Sequence, residues 1–171
     1  MSGATAPTQR GFTLVEMMVV VALLAILLAA AAPGMREFSA ANRLATTKSA
    51  FTGALALART EAAKRGSGVF LRASGAPAAG NEYAAGWQIV ADDNGNGVID
   101  ATDTVVRTYD ALPAGITLSG NAALLYRAAG FLGTTADQLF TVCRADGSGK
   151  GFRIAVTPSG VTDVAQITNC P

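Results

Sequence analysis

Between Met17 and Met35 the chain carries no charged side chain, only apolar and small residues with Pro33 and Gly34 near the end. A helix rises about 1.5 Å per residue, so this run nearly spans a hydrocarbon core of about 30 Å. Half of the 171 residues are hydrophobic and the mean hydropathy is +0.35. The excess sits in this one segment. Beyond Gly66 the sequence becomes ordinary for a globular domain, with Gly-rich turns, short β-branched runs and scattered charge. The expectation is a membrane helix followed by one modest domain.

Three kinds of N-terminus fit such a run. One is a secretory signal peptide cut near Ala29-Ala30-Ala31, where small residues suit the peptidase. Another is a plain membrane anchor. Glu16 favours a third. A carboxylate in a segment bound for lipid is costly and by default marks function. Neither a signal peptide nor a plain anchor gains from one. The segment Arg10-Gly11-Phe12-Thr13-Leu14-Val15-Glu16 resembles the prepilin peptidase site of type IV pilin-like proteins, with Gly before the cut, Phe after it and Glu as the fifth residue of the mature chain. The match continues through the apolar helix and Pro33. The resemblance implies cleavage between Gly11 and Phe12, N-methylation of Phe12 and a role for Glu16 in assembly. There Glu16 would neutralise a Phe12 amine, its own or a neighbour's, in surroundings where an unpaired charge is expensive. The chain is then a substrate of prepilin peptidase rather than an enzyme.

Pro33 cannot donate an intrahelical hydrogen bond, which predicts a kink or opening nearby. Phe38, Ala41, Leu44, Phe51, Leu55, Ala58 and Ala62 then recur at helical spacing, with charges mostly between them. Gly66 is a natural C-cap, and Lys64 and Arg65 suit the last turn of the dipole. A helix from about Phe12 to Arg65 follows, and its apolar stripe needs a sheet to cover it. The stretch Asn42 to Arg65, NRLATTKSAFTGALALARTEAAKR, resembles the GspH/FimT subgroup, which commonly carries an "NRL…AL…AR.EA.KR" text here.

That resemblance implies an α+β fold, the pilin lollipop: a long N-terminal helix, half transmembrane, packed on a C-terminal antiparallel sheet domain. The corresponding divisions are a leader at 1–11, a transmembrane and assembly helix at 12–35, the soluble half of the helix at 36–66 and a β-rich domain at 67–171. The implied function is a minor pilin or pseudopilin of a type IV pilus or a type II secretion pseudopilus, initiating or tip-proximal. Its partners would be other pilins or pseudopilins, met through the N-terminal helix, with prepilin peptidase and the bacterial inner membrane. Its C-terminal domain would face the periplasm.

Strands are predicted at Val69–Arg72, Trp87–Ala91, Thr104–Tyr109, Ile116–Ser119, Leu139–Arg144, Phe152–Thr157 and Val161–Ile167, in an antiparallel all-β region. Phe152-Ile154-Val156 alternates with Arg153-Ala155-Thr157, and Pro158-Ser159-Gly160 supplies a hairpin turn. The stretches 73–86 and 120–137 read as loops, with a helical turn near Ala122. Cys143 and Cys170 suggest a disulfide in an oxidising compartment, the alternative being two buried thiols.

The chain has no His, which excludes a His-dependent triad and removes the commonest metal ligand. Nor does it show a Gly-rich phosphate loop or zinc spacing. Two binding readings remain. The run from Asp92 to Asp103, DDNGNGVIDATD, fits the calcium-loop pattern D-x-[DN]-x-[DN]-G, with Asp92, Asn94, Asn96, Asp100 and Asp103 as side-chain ligands and Val98 offering its carbonyl. Asp103 replaces the usual Glu, and the same residue types are the commonest turn formers. Some GspH/FimT-like minor pilins are associated with DNA uptake, and Arg144, Lys150 and Arg153 lie close in sequence around a Gly-rich turn. From Ser67 onward, however, acidic residues outnumber basic ones, whereas phosphate binding wants clustered positive charge.

Overall fold

The computed structural model describes residues 11–170, apart from the side chains of 31–33. The kink expected at Pro33 therefore lies outside the described residues. The chain divides into two compact units, Met1–Ser39 and Ala40–Pro171. Helix α1 spans Leu14–Arg65, so it begins in the first unit and enters the second. It stops where Gly66 adopts a φ of 64° and donates its N–H to the Ala62 carbonyl at 3.0 Å. Only a residue without Cβ takes that left-handed conformation freely.

In the second unit the helix meets eight antiparallel strands: β1 (Val69–Ala73), β2 (Trp87–Ala91), β3 (Thr104–Tyr109), β4 (Ile116–Gly120), β5 (Ala123–Tyr126), β6 (Gln138–Arg144), β7 (Gly151–Val156) and β8 (Thr162–Ile167). They form two four-stranded sheets, ordered β3-β2-β1-β5 and β4-β6-β7-β8. The α+β architecture is as expected: a long helix packed on antiparallel sheet. Alternate residues of β1, β2, β4, β5, β6 and β7 point into the core. Val69 and Leu71, Ile89 and Ala91, Leu124 and Tyr126 come from the first sheet. Leu118, Phe140, Val142, Ile154 and Val156 come from the second. The helix contributes Leu44, Phe51, Ala54, Leu55, Ala58 and Ala62 to the same core. Its alanines keep that face narrow, so the sheets can approach closely.

Phe51 is the hub of this core. It is fully buried and meets Tyr83 and Phe140 edge-on at 5.1 Å, and Trp87 at 5.4 Å. Trp87 belongs to the first sheet and Phe140 to the second, so one helical side chain holds both. The text shared with the GspH/FimT subgroup also acquires a physical meaning. Arg43 donates to the Ala114 carbonyl at 3.2 Å, and Arg59 reaches the Ser159 carbonyl in the β7–β8 turn at 3.1 Å. Glu61 pairs with Lys64 at 3.3 Å and Arg65 at 3.2 Å. Leu44, Ala54, Leu55, Ala58 and Ala62 of that text are buried.

The hairpin turn at Pro158-Ser159-Gly160 is present, closed by Gly160 N–H to the Thr157 carbonyl at 2.8 Å. The stretch 120–137 departs from expectation. There is no helical turn near Ala122; Ala123–Tyr126 forms β5 and pairs with β1 in the register Val69↔Tyr126 to Arg72↔Ala123. The tetrapeptide ALLY has no period long enough to separate helix from strand, and the free edge of β1 decided it.

Cys143 and Cys170 form a disulfide, with Cα atoms 5.9 Å apart. It ties the end of β6 to the tail beyond β8. A side chain at Gly151, which pairs with Cys143 across β6 and β7, would run into the Cys143 sulfur at 3.1 Å. With 27 residues separating the cysteines, loop-closure entropy assigns the bond about 3–4 kcal/mol. Replacing both cysteines by Ser should lower unfolding free energy by that amount in denaturant titration.

Candidate functional site

The residues expected to serve processing and assembly lie at the N-terminal end of α1. Thr13 and Glu16 hydrogen-bond reciprocally: Thr13 N–H donates to Glu16 Oε2 at 2.9 Å, and Glu16 N–H donates to Thr13 Oγ1 at 3.2 Å. The Thr13 hydroxyl also donates to Glu16 Oε2, at 3.1 Å. This is a capping box, which satisfies helix N–H groups that have no intrahelical acceptor. Thr13 was not among the residues singled out from sequence, although Thr-x-x-Glu before an apolar run is the signature of such a box. Gly11 and Phe12 precede the helix and are exposed. The scissile bond expected between them is therefore in non-helical, accessible backbone.

From Phe12 to Leu28 every large apolar side chain is exposed, for example Phe12 at 76 %, Leu14 at 75 % and Leu28 at 71 %. A helix apolar on all sides belongs in lipid or among several neighbours. By length and composition no single helical segment passes as a membrane span, whereas Leu14–Ala30 together with Gly34–Arg65 does.

The fold brings the Asp92–Asp103 residues together in a web of hydrogen bonds. Buried Asp92 accepts the Asn96 and Gly97 N–H groups at 3.1 and 2.9 Å. Asp103 accepts those of Asp93 and Asp100, at 3.2 and 2.9 Å. The side-chain oxygens of Asn94 and Asn96 accept the N–H groups of Asn96 and Val98. Their NH₂ groups turn to Asp100 at 3.0 and 2.8 Å, presenting donors where a cation needs acceptors. In this arrangement the loop is a hydrogen-bonded turn. Among the described residues no group of three or more His, Cys, Asp or Glu is placed to hold a metal.

Asp100 carries a consequence for pH. Hydrogen bonds from Thr102, side chain first and then backbone, with those of Asn96 and Asn94, hold its carboxyl well below the ordinary 3.8. A depressed folded pKa stabilises the fold above the ordinary value, and that contribution fades as pH falls toward the folded one. Asp100→Asn should therefore melt below wild type at neutral pH, with the gap closing below about pH 4. Several millimolar calcium should leave the wild-type melting temperature unchanged.

Of the three basic residues proposed to contact DNA, Arg144 and Lys150 are neighbours, the Arg144 N–H donating to the Lys150 carbonyl at 3.1 Å, but the three do not share one exposed face. Arg144 follows Phe140 and Val142 on the inward face of β6, is only 8 % exposed and pairs with Asp146. Hydrogen bonding from Ser148 first, then Arg144, holds Asp146 down to about 2. Arg153 pairs in register with Thr141 and stands on the opposite face of the same sheet. Lys150 is exposed in the connecting turn.

An uncovered apolar helix, capped beside an exposed Gly-Phe junction and continuing onto antiparallel sheets, is the architecture of pilin-like subunits. Residues 7–32 match the prokaryotic N-terminal methylation motif, and residues 49–160 match the model of the type II transport protein GspH. The chain belongs to the GspH family of minor pilins and pseudopilins. Its fold is similar to that of the type IV minor pilin FimU of Pseudomonas aeruginosa, with a TM-score of 0.62 at 18 % identity over 78 % of this chain and 99 % of that one. A second crystal form of FimU gives a TM-score of 0.55, at 18 % identity over 78 % and 98 %. No curated protein sequence matches the chain.

Proposed function

We propose that the chain is made as a prepilin, cut between Gly11 and Phe12, N-methylated on Phe12 and built through α1 into a type IV pilus or type II pseudopilus. In this reading residues 1–11 are the leader, 12–35 the transmembrane and assembly segment, 36–66 the helix of the domain and 67–171 its β-rich part. Before assembly the subunit is held in the inner membrane with its domain in the periplasm. It serves at low abundance, initiating the filament or lying near its tip.

The observation that carries this reading is the exposed apolar surface from Phe12 into the first turns of α1 as far as Leu28, which lies within the methylation motif. Bilayer covers it first, and neighbouring helices cover it after extraction. The alternative of a DNA-binding minor pilin draws little support from Arg144, Lys150 and Arg153, because Arg144 is buried and Arg153 stands on the other face of its sheet. In the filament reading, the chain is recovered in small amounts in sheared filament fractions, and is lost from them in cells lacking prepilin peptidase. Undiminished recovery without the peptidase would contradict it.

A further inference from the structure

The connection between β2 and β3 holds two Asn-Gly pairs in succession, Asn94-Gly95 and Asn96-Gly97, and all of these residues are exposed. Asn before Gly is a labile pair, because no Cβ hinders attack by the glycine nitrogen on the carboxamide before it. Nothing lies within 4 Å of where a Cβ would stand at either glycine, so access does not separate the two pairs. Nor does the setting of the carbonyls. Each Oδ1 accepts the N–H two residues on, at 3.0 Å for Asn94 and 2.7 Å for Asn96. Such a donor polarises the carbonyl and stabilises the negative charge that develops on Oδ1 as a nucleophile adds. Each Nδ2 donates to Asp100, and that of Asn94 also to the Thr102 hydroxyl at 2.8 Å.

The pairs differ at the nucleophile. The Gly97 N–H donates to Asp92 Oδ2 at 2.9 Å, and Asp92 is only 3 % exposed. Removing that proton would set two negative charges side by side in a poorly solvated place. Among the described residues no acceptor meets the Gly95 N–H, which is left to solvent hydroxide. We propose that Asn94-Gly95 is a site of spontaneous deamidation and that Asp92 shields Asn96-Gly97 from the same reaction. Hydroxide takes the Gly95 N–H proton, and the nitrogen adds to Asn94 Cγ. The Cγ–Nδ2 bond breaks, the leaving nitrogen takes a proton from water, and ammonia departs from a cyclic succinimide. Water then opens the ring. Attack at one carbonyl gives aspartate, and attack at the other gives isoaspartate, which adds a methylene to the backbone. Either product replaces the amide that donates to Asp100 and Thr102 by a carboxylate.

The full-length protein in lipid nanodiscs, incubated at mildly alkaline pH, is sampled over time and both sites are followed by peptide mass spectrometry. The reaction at Asn94 should run about tenfold or more faster than at Asn96, ~1.4 kcal/mol of barrier. In the same chain unfolded in guanidinium chloride the two rates should converge. Asp92→Asn keeps the side-chain shape but removes the charge, and should accelerate Asn96 several-fold with the Asn94 rate unchanged. Should that variant unfold, both rates move to the denatured values and the wild-type ratio decides. Equal rates in the folded protein, faster reaction at Asn96, an Asn94 that stays intact while the denatured chain reacts, or an Asn96 still slow in folded Asp92→Asn would each overturn the proposal.

Discussion

Phe51→Ala should cost the globular unit about 3–5 kcal/mol of stability, the range for removing a fully buried Phe from a tight core. Phe51 is the helical side chain in edge contact with Tyr83, Trp87 and Phe140 at once. Its loss leaves a void where the helix and both sheets meet, and the surrounding strands cannot close it without breaking register. Phe51→Leu, which keeps much of the volume, should cost clearly less. Denaturant melts of both variants at one pH would check this. A loss under about 1 kcal/mol for the Ala variant would mean that the core does not converge on this ring.

The second large effect is expected at Glu16, where the capping box separates two roles. Glu16→Ala removes both the cap and the charge, whereas Glu16→Gln keeps a capping box, because Gln also satisfies that pattern. If the carboxylate neutralises a Phe12 amine during assembly, both variants should be cleaved and held in the membrane, and both should fall about tenfold or more in filament fractions, ~1.4 kcal/mol or beyond. Glu16→Ala should in addition fray the first turn of α1, at a cost of about 0.5–2 kcal/mol of local helix stability. Quantitative blotting of sheared and membrane fractions separates the roles. Normal incorporation of Glu16→Gln, with loss only in Glu16→Ala, would assign Glu16 to the cap and not to the ion pair.

The helix was the most legible part of the sequence because its evidence is local. Apolar spacing, Gly66 and the basic last turn agree with one another, and α1 ends at Arg65 as expected. The β7–β8 hairpin was equally readable, since Pro158-Ser159-Gly160 leaves the chain few alternatives. β5 was not, because its strand character comes from pairing with β1, far away in sequence. The same limit applies to the two candidate binding sites. Acid–amide alternation at Asp92–Asp103 serves a cation loop and a closed turn equally, and only the direction of each donor distinguishes them. Proximity in sequence grouped Arg144 with Arg153, and the pleat of the sheet put them on opposite faces. The Thr13–Glu16 box could have been read from its spacing.

The central claim is that this chain is a prepilin whose mature form begins at Phe12. Mass spectrometry of the N-terminal peptide, from protein extracted from membranes of cells with active prepilin peptidase, tests it directly. The account predicts a peptide starting at Phe12 and carrying one added methyl group, with residues 1–11 gone. A mature N-terminus near Ala32, where signal peptidase would cut, would contradict it.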